Sequence, residues 1–260
     1  MGMAYTFSLS LAAVDMLLEQ GRLGRAPVPF AVPHIGTSAE QRAQVRAAVY
    51  RDLEARGLMA GGRLDRGVEQ ALRTFVSPPV SISAAAQLDD GTPLFARAAS
   101  DGEYAVVVRQ DENMLVFTEA RPTGIVPMIV DFLPLTPAAP GQSVTVAKPA
   151  KRKRSSYGGD EGYNPFSGVA APRSHSTTQL RMVERIFEKP RKRVGQFTAF
   201  VRDQRGHAAD LSPIAWFDTE AGRYLMTIRD GSDGQTWITY APADNARIAQ
   251  QLHEQLEGTF

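Results

Sequence analysis

An acidic pair, four histidines and two basic runs are the residues of this 260-residue chain that could do chemistry. Neighbouring carboxylates can share general-acid and general-base work when their environments push their pKa values apart. Asp89-Asp90 runs directly into Gly91, however, and Asp-Asp-Gly is a turn signal whose side chains face solvent. His34, His175, His207 and His253 stand apart, and none has the H-E-x-x-H spacing that sets two imidazoles on one side of a helix. The absence of cysteine removes disulfides, thiolate catalysis and Cys-based zinc sites, and it fits a reducing cytoplasm. No phosphate-binding G-x-x-x-x-G-K-[ST] or G-x-G-x-x-G sequence occurs, and no G-x-S-x-G nucleophile elbow. No catalytic residue, metal ligand or cofactor is expected.

The basic runs are Lys148, Lys151, Arg152, Lys153 and Arg154, then Lys189, Arg191, Lys192 and Arg193. Such runs can grip phosphates, and Tyr157, Tyr163 and Phe166 could stack on bases. Asp160 and Glu161 interrupt the first stretch, and the second follows a helix whose C-terminal dipole cations would offset. The whole chain carries 29 basic and 28 acidic residues, a formal charge of +1 that gives no field to steer it onto a polyanion or an anionic membrane.

These residues are held by elements that read clearly in places. Tyr5 to Ser10 is extended, and Ser10 caps a helix with Leu11, Val14, Leu17 and Leu18 on one side and Gly21 as its stop. After a loop from Pro27 to Gly36, Thr37 to Glu40 has capping-box spacing, with Ser38 to Gln41 as the alternative. That helix places Val45, Ala48, Val49 and Leu53 on one face, and Gly57 ends it. Asp65 caps a third helix carrying Val68, Leu72, Phe75 and Val76, which Pro78-Pro79 prevents from continuing. Strands are expected at Val80 to Ala86, Leu94 to Ala98, Tyr104 to Arg109 and Met114 to Glu119, joined by Asp- and Gly-rich turns too short for parallel crossovers. Ile125 to Leu133 reads as a helix. Residues 147–173 lose periodicity and are rich in Gly, Pro, Ser and charge, which predicts a flexible loop. A helix from about Ser176 follows, ended by Pro190. Strands are then expected at Gln196 to Arg202, Pro213 to Asp218, Tyr224 to Arg229 and Gln235 to Tyr240, before a last helix with Ile248, Leu252 and Leu256. Alternation puts Trp216 and Phe217 on opposite faces, one in the core and the other half-buried.

The second half echoes the first. Gly102 and Tyr104 match Gly222 and Tyr224, and Pro122 matches Pro242, all at one offset (222 − 102 = 120). Two such meanders with their helices could pair about a pseudo-twofold axis, giving one domain over 1–260 with halves 1–146 and 174–260. The N-terminal apolar run has no preceding Lys or Arg and is broken by Asp15, so it reads as folded structure rather than a targeting segment, and no run is long enough to span a membrane.

Four stretches, in this order and spacing, carry a resemblance: FSLSLAAVDMLLEQGRLGRAPVPFAV, TSAEQRAQVRAAVYRDLEARGLMAGGRLD, the GQF…VRD…SPIAWFDTEAGRYL region, and WITYAPADNARIAQQL. Together they resemble the EspG family of ESX (type VII) secretion-associated proteins over nearly the whole chain. The resemblance implies an α+β fold with a central antiparallel sheet, flanking helical bundles and quasi-twofold symmetry. It implies a cytoplasmic chaperone without enzymatic activity that covers the apolar tip of the PPE protein in a PE–PPE heterodimer and directs the pair to its secretion system. Such a chaperone does not insert into a membrane, and a homodimer in the unoccupied state is compatible with it. Family contacts are made by the C-terminal helical bundle and by the loop between the second and third strands. With Tyr5 to Ser10 as the first strand, that loop is Gln87, Leu88, Asp89, Asp90, Gly91, Thr92 and Pro93, with Leu88 an apolar anchor and the two aspartates polar rim. No nucleic acid is expected on this reading; a basic-loop module for nucleic acid or another polyanion is the alternative.

Overall fold

In the computed structural model, residues 5–147, 177–203, 205–231 and 235–258 are described. Strand β1 (Thr6–Ser10) passes directly into α1 (Leu11–Gln20) because the Ser10 hydroxyl accepts from the Ala13 amide, satisfying one of the amides a helix start leaves open. Helix α2 (Ala39–Ala55) starts at Ser38, whose hydroxyl accepts from Gln41 N. Gln41 Oε1 in turn accepts from Thr37 N, so the cap is Ser38 with Gln41 as its reciprocal partner, and Glu40 takes no part in it. A short hairpin, β2 (Met59–Ala60) and β3 (Arg63–Leu64), precedes α3 (Arg66–Val76), which Asp65 caps through Gly67 N and Val68 N.

The first meander is β4 (Val80–Gln87), β5 (Pro93–Ser100), β6 (Ala105–Asp111) and β7 (Met114–Ala120). After a 3-10 turn at Pro122–Gly124 comes α4 (Ile125–Val130), shorter than the sequence suggests. Its last bond is Asp131 N to Pro127 O, and Pro134, lacking an amide hydrogen, cannot extend it. Strand β8 (Val144–Ala147) takes Ala147 from the expected loop; residues 148–173 lie outside the described residues. Helix α5 (Thr177–Glu188) leads to β9 (Arg193–Arg202), β10 (Ala208–Asp210), β11 (Ile214–Thr219), β12 (Gly222–Asp230), β13 (Thr236–Pro242) and α6 (Asn245–Glu257).

All strands but β2 and β3 join one antiparallel sheet of order β1-β7-β6-β5-β4-β9-β11-β12-β13-β8, with β10 also on β9. The order reads alike outward from the β4–β9 pair, where Val80 faces Val201 and Gln87 faces Val194. On one face, α4 and α6 cover the middle strands through Ile125, Ile129, Ile248 and Leu252 against Ile82, Val107, Phe197 and Trp216. On the other, α1 to α3 cover the β1 end around Phe75 and Phe117, and α5 covers the β8 end around Phe217 and Tyr240. Trp216 and Phe217 do point to opposite faces, but both are fully buried. Phe217 is not half-exposed because Phe187 of α5 stacks over it, 5.8 Å between ring centroids.

The segment between α4 and β8 is fastened to β12. Ala139 N donates to Arg223 O and Arg223 N to Pro137 O. A Cβ on Gly222 would lie 2.7 Å from Pro137 O and Ala139 N, and its φ of +125° already suits glycine, so this close approach requires it. No helix of the described residues is long and apolar enough to cross a membrane.

Candidate functional site

The loop singled out in the sequence caps the β4–β5 hairpin. In chain order these are the second and third strands of the large sheet, since β2 and β3 stand apart as their own hairpin. The ladder runs up to the Gln87–Pro93 pair, and a 3-10 turn over Asp89–Gly91 closes it, with Gly91 at φ +78°. Leu88 N donates to Thr92 O at 2.8 Å and Thr92 N to Asp89 O at 3.1 Å. Gln87, Asp89, Gly91, Thr92 and Pro93 are exposed, and Asp90 lies in the turn. Leu88 is half-buried and packs partly on the core cluster beneath α4 and α6, so part of this side chain already belongs to the fold.

Asp89 is not a free carboxylate. Arg193, at the start of β9, donates from Nε to Oδ1 at 2.9 Å and from Nη2 to Oδ2 at 2.6 Å. This fork holds the Asp89 carboxyl below the usual carboxylate range and raises Arg193 in return. The remaining Arg193 nitrogen, Nη1, donates to Thr136 Oγ1 and Asp218 Oδ2, each at 3.2 Å. Asp218 is buried and receives a second fork from buried Arg223, Nε at 2.6 Å and Nη2 at 2.9 Å. Arg223 also donates to Pro134 O and Thr136 Oγ1, and through Nη1 to Asn245 Oδ1 at the first residue of α6. Its guanidinium lies 4.6 Å from the Trp216 ring centroid. Buried Asp218 and Arg223 balance each other, with Arg193 and Asp89 completing the charge count toward the surface, which lets the inner pair sit at such depth.

Next to this relay, α4 and α6 form the walls of a groove of about 560 Å³. Pro127, Val130, Ala246 and Ala249 make it apolar, Asp131 and Asp244 stand at it, and Thr136 and Asn245 belong to groove and relay alike. Leu135 beside it is 91% exposed. The sequence did not single out this groove or the roles of Thr136, Asp218, Arg223 and Asn245. One signal was available: Asp218 breaks the apolar strand IAWFDT, and Arg223 faces it directly across the β11–β12 hairpin.

Elsewhere, Arg191 of the second basic run lies over the Phe187 and Phe217 rings at 5.0 and 5.9 Å, and Arg193 is committed to the relay. Lys148, Lys151, Arg152, Lys153, Arg154, His175, Tyr157, Tyr163 and Phe166 lie outside the described residues. His207 meets Asp203 at 2.9 Å, and His34 lies beside Asp15 and Arg42. Among the described residues no cluster of His, Asp and Glu could hold a metal ion.

Sheet order and helix layers define the class: an α+β protein built on one continuous antiparallel sheet, with a clamped hairpin loop and an apolar groove. Within that class, the model of the EspG family matches residues 10–254, and the chain belongs to that family. Its fold is also that of the Mycobacterium tuberculosis type VII secretion system chaperone EspG5, solved in complex with the PE25–PPE41 dimer. The two chains superpose with a TM-score of 0.63 at 14% identity, over 97% of this chain and 96% of the other. No curated protein matches the sequence.

Proposed function

We propose that this chain is a non-catalytic export chaperone that binds a PE–PPE heterodimer in the cytoplasm, covers the apolar tip of the PPE protein, and directs the pair to its ESX (type VII) system. The carrying observation is membership of the EspG family over residues 10–254, supported by full-length likeness to a chaperone captured with a PE–PPE dimer. The surface suits the task. An exposed apolar tip is an aggregation hazard, and an interface that masks it needs an apolar centre within a polar rim. The groove between α4 and α6, with Leu135 at its side, offers the first; Gln87, Asp89 and Thr92 of the loop offer the second.

The division of the chain belongs to the same reading. Residues 1–146 and 174–260 are two related halves of one domain, joined through 147–173. The outward repetition of elements from the β4–β9 pair supports two related halves, with α4 and α6 in matching places, although β8 (Val144–Ala147) pairs with β13 on the second side of the sheet.

Co-expression with the PE–PPE pair encoded nearest the gene, followed by affinity capture and size-exclusion chromatography, tests the function. An equimolar ternary complex is expected. No PE–PPE protein captured, either from that pair or from native cytosol, would overturn the reading. The polyanion alternative would gain if retention on a polyanion column survived deletion of 148–154.

A further inference from the structure

We propose that Arg193 is a positioning residue for the partner-binding surface: it fastens the Gln87–Pro93 loop to the relay that ends at α6, so that loop and groove meet a partner as one preformed surface. This rests on the chaperone reading for what binds there, but the fastening itself is a property of the unbound chain.

The geometry assigns the role to this side chain. Local backbone bonds close the turn on itself at Leu88, Gly91 and Thr92, and the sheet ladder reaches only its base, where Gln87 faces Pro93 on β5 and Val194 on β9. Among the described residues, the ion pair that leaves the loop is Asp89 to Arg193, spanning 104 positions of sequence. Arg193 faces two ways at once. Nε and Nη2 take both oxygens of Asp89, while Nη1 takes Thr136 and Asp218. Asp218 is fixed by Arg223, and Arg223 by Asn245 of α6. A planar guanidinium can hold three such directions; a lysine ammonium on a flexible stem cannot hold the same fork. The side chain of Arg193 is 21% exposed and that of Asp218 is 2% exposed, so water competes weakly for the inner contacts. Asp89, 57% exposed, is the member that solvent and a partner can reach. Holding the loop before binding lowers the ordering cost that a loose loop would add to association.

The test uses the full chain with Asp89→Asn, Arg193→Gln, Arg193→Lys and the double variant Asp89→Asn/Arg193→Gln. Hydrogen exchange in the unbound chain reads the fastening, and binding of the purified PE–PPE dimer captured by the wild-type chain reads its consequence. Asp89→Asn and Arg193→Gln should each speed exchange at the Leu88, Gly91 and Thr92 amides by about tenfold, leaving the β4–β9 amides protected. Each should weaken dimer binding by about threefold to tenfold, with the double variant no worse than the weaker-binding single, because both remove the shared Asp89–Arg193 pair. Arg193→Lys should fail to restore wild-type exchange. Unchanged exchange at the three amides in Asp89→Asn would overturn the proposal, as would additive losses in the double variant. Should Arg193→Gln not fold, Asp89→Asn still decides, since its side chain lies at the surface. A wild-type chain that binds no PE–PPE dimer would remove the chaperone reading, while the exchange data alone would still decide whether the loop is fastened.

Discussion

Trp216 shows how much one side chain carries. It is fully buried between the middle strands and the α4–α6 layer, with Arg223 over its ring. Trp216→Ala should lower stability by roughly 3–5 kcal/mol, read as a fall in the urea midpoint at constant slope. Tyr240 offers a different test. It is buried against Phe187, its hydroxyl finds no hydrogen-bond partner among the described residues, and burial pushes its pKa up to about 12. Tyr104 is likewise pushed up to about 12. A tyrosine raised above its unfolded value of about 10 favours the folded state while neutral, so its contribution is full below pH 10 and is lost as pH climbs from about 10 to 12. Urea midpoints should therefore fall across that window. Tyr240→Phe should flatten the fall and change little at pH 7, because no hydrogen bond is removed.

Elements meet where segments with no regular structure are pinned. The stretch from Pro134 to Ala139 lies against β12 only because residue 222 lacks a side chain. Gly222→Ala should cost about 2 kcal/mol and speed exchange at the Ala139 and Arg223 amides. Most helices were legible because their signals are local. Ser10, Ser38 and Asp65 each accept from an amide two or three residues ahead, and the apolar spacing around Leu72 and Phe75 repeats with the helix period. Strands β2, β3, β8 and β10 were not, since two to four residues are too few for alternation to register. The hairpin loop could be located by counting strands, whereas its fastening could not. Asp89, Thr136, Arg193 and Asp218 come from four separate parts of the chain, and no spacing rule joins them. Arg193 in sequence is simply the last cation of a basic run, and only the fold separates it from Lys189 and Lys192.

At the scale of the whole molecule, the β4–β9 pair is the seam. It joins the two sides of the sheet over eight facing residues from Val80 to Gln87, and the core under α4 and α6 draws Ile82 from one side and Phe197 and Trp216 from the other. Neither side can then bury the surface under α4 and α6 alone, although the core under α1 to α3 comes wholly from the first. Residues 1–147 expressed alone should expose the β4 edge and aggregate, and co-expression with 177–258 should return a soluble pair on size-exclusion chromatography. A soluble, monomeric 1–147 fragment would show that the first half completes its own core. The seam also ends where the loop begins, since Gln87 faces Val194 on β9 and Pro93 on β5. The sheet is finished before the loop starts, so Leu88 to Thr92 form an exchangeable cassette. If the loop meets the partner as proposed, evolution or a protein engineer can rewrite its sequence and carry a new recognition preference on an unaltered scaffold, provided the replacement keeps an apolar residue at 88 for the core and a carboxylate for Arg193.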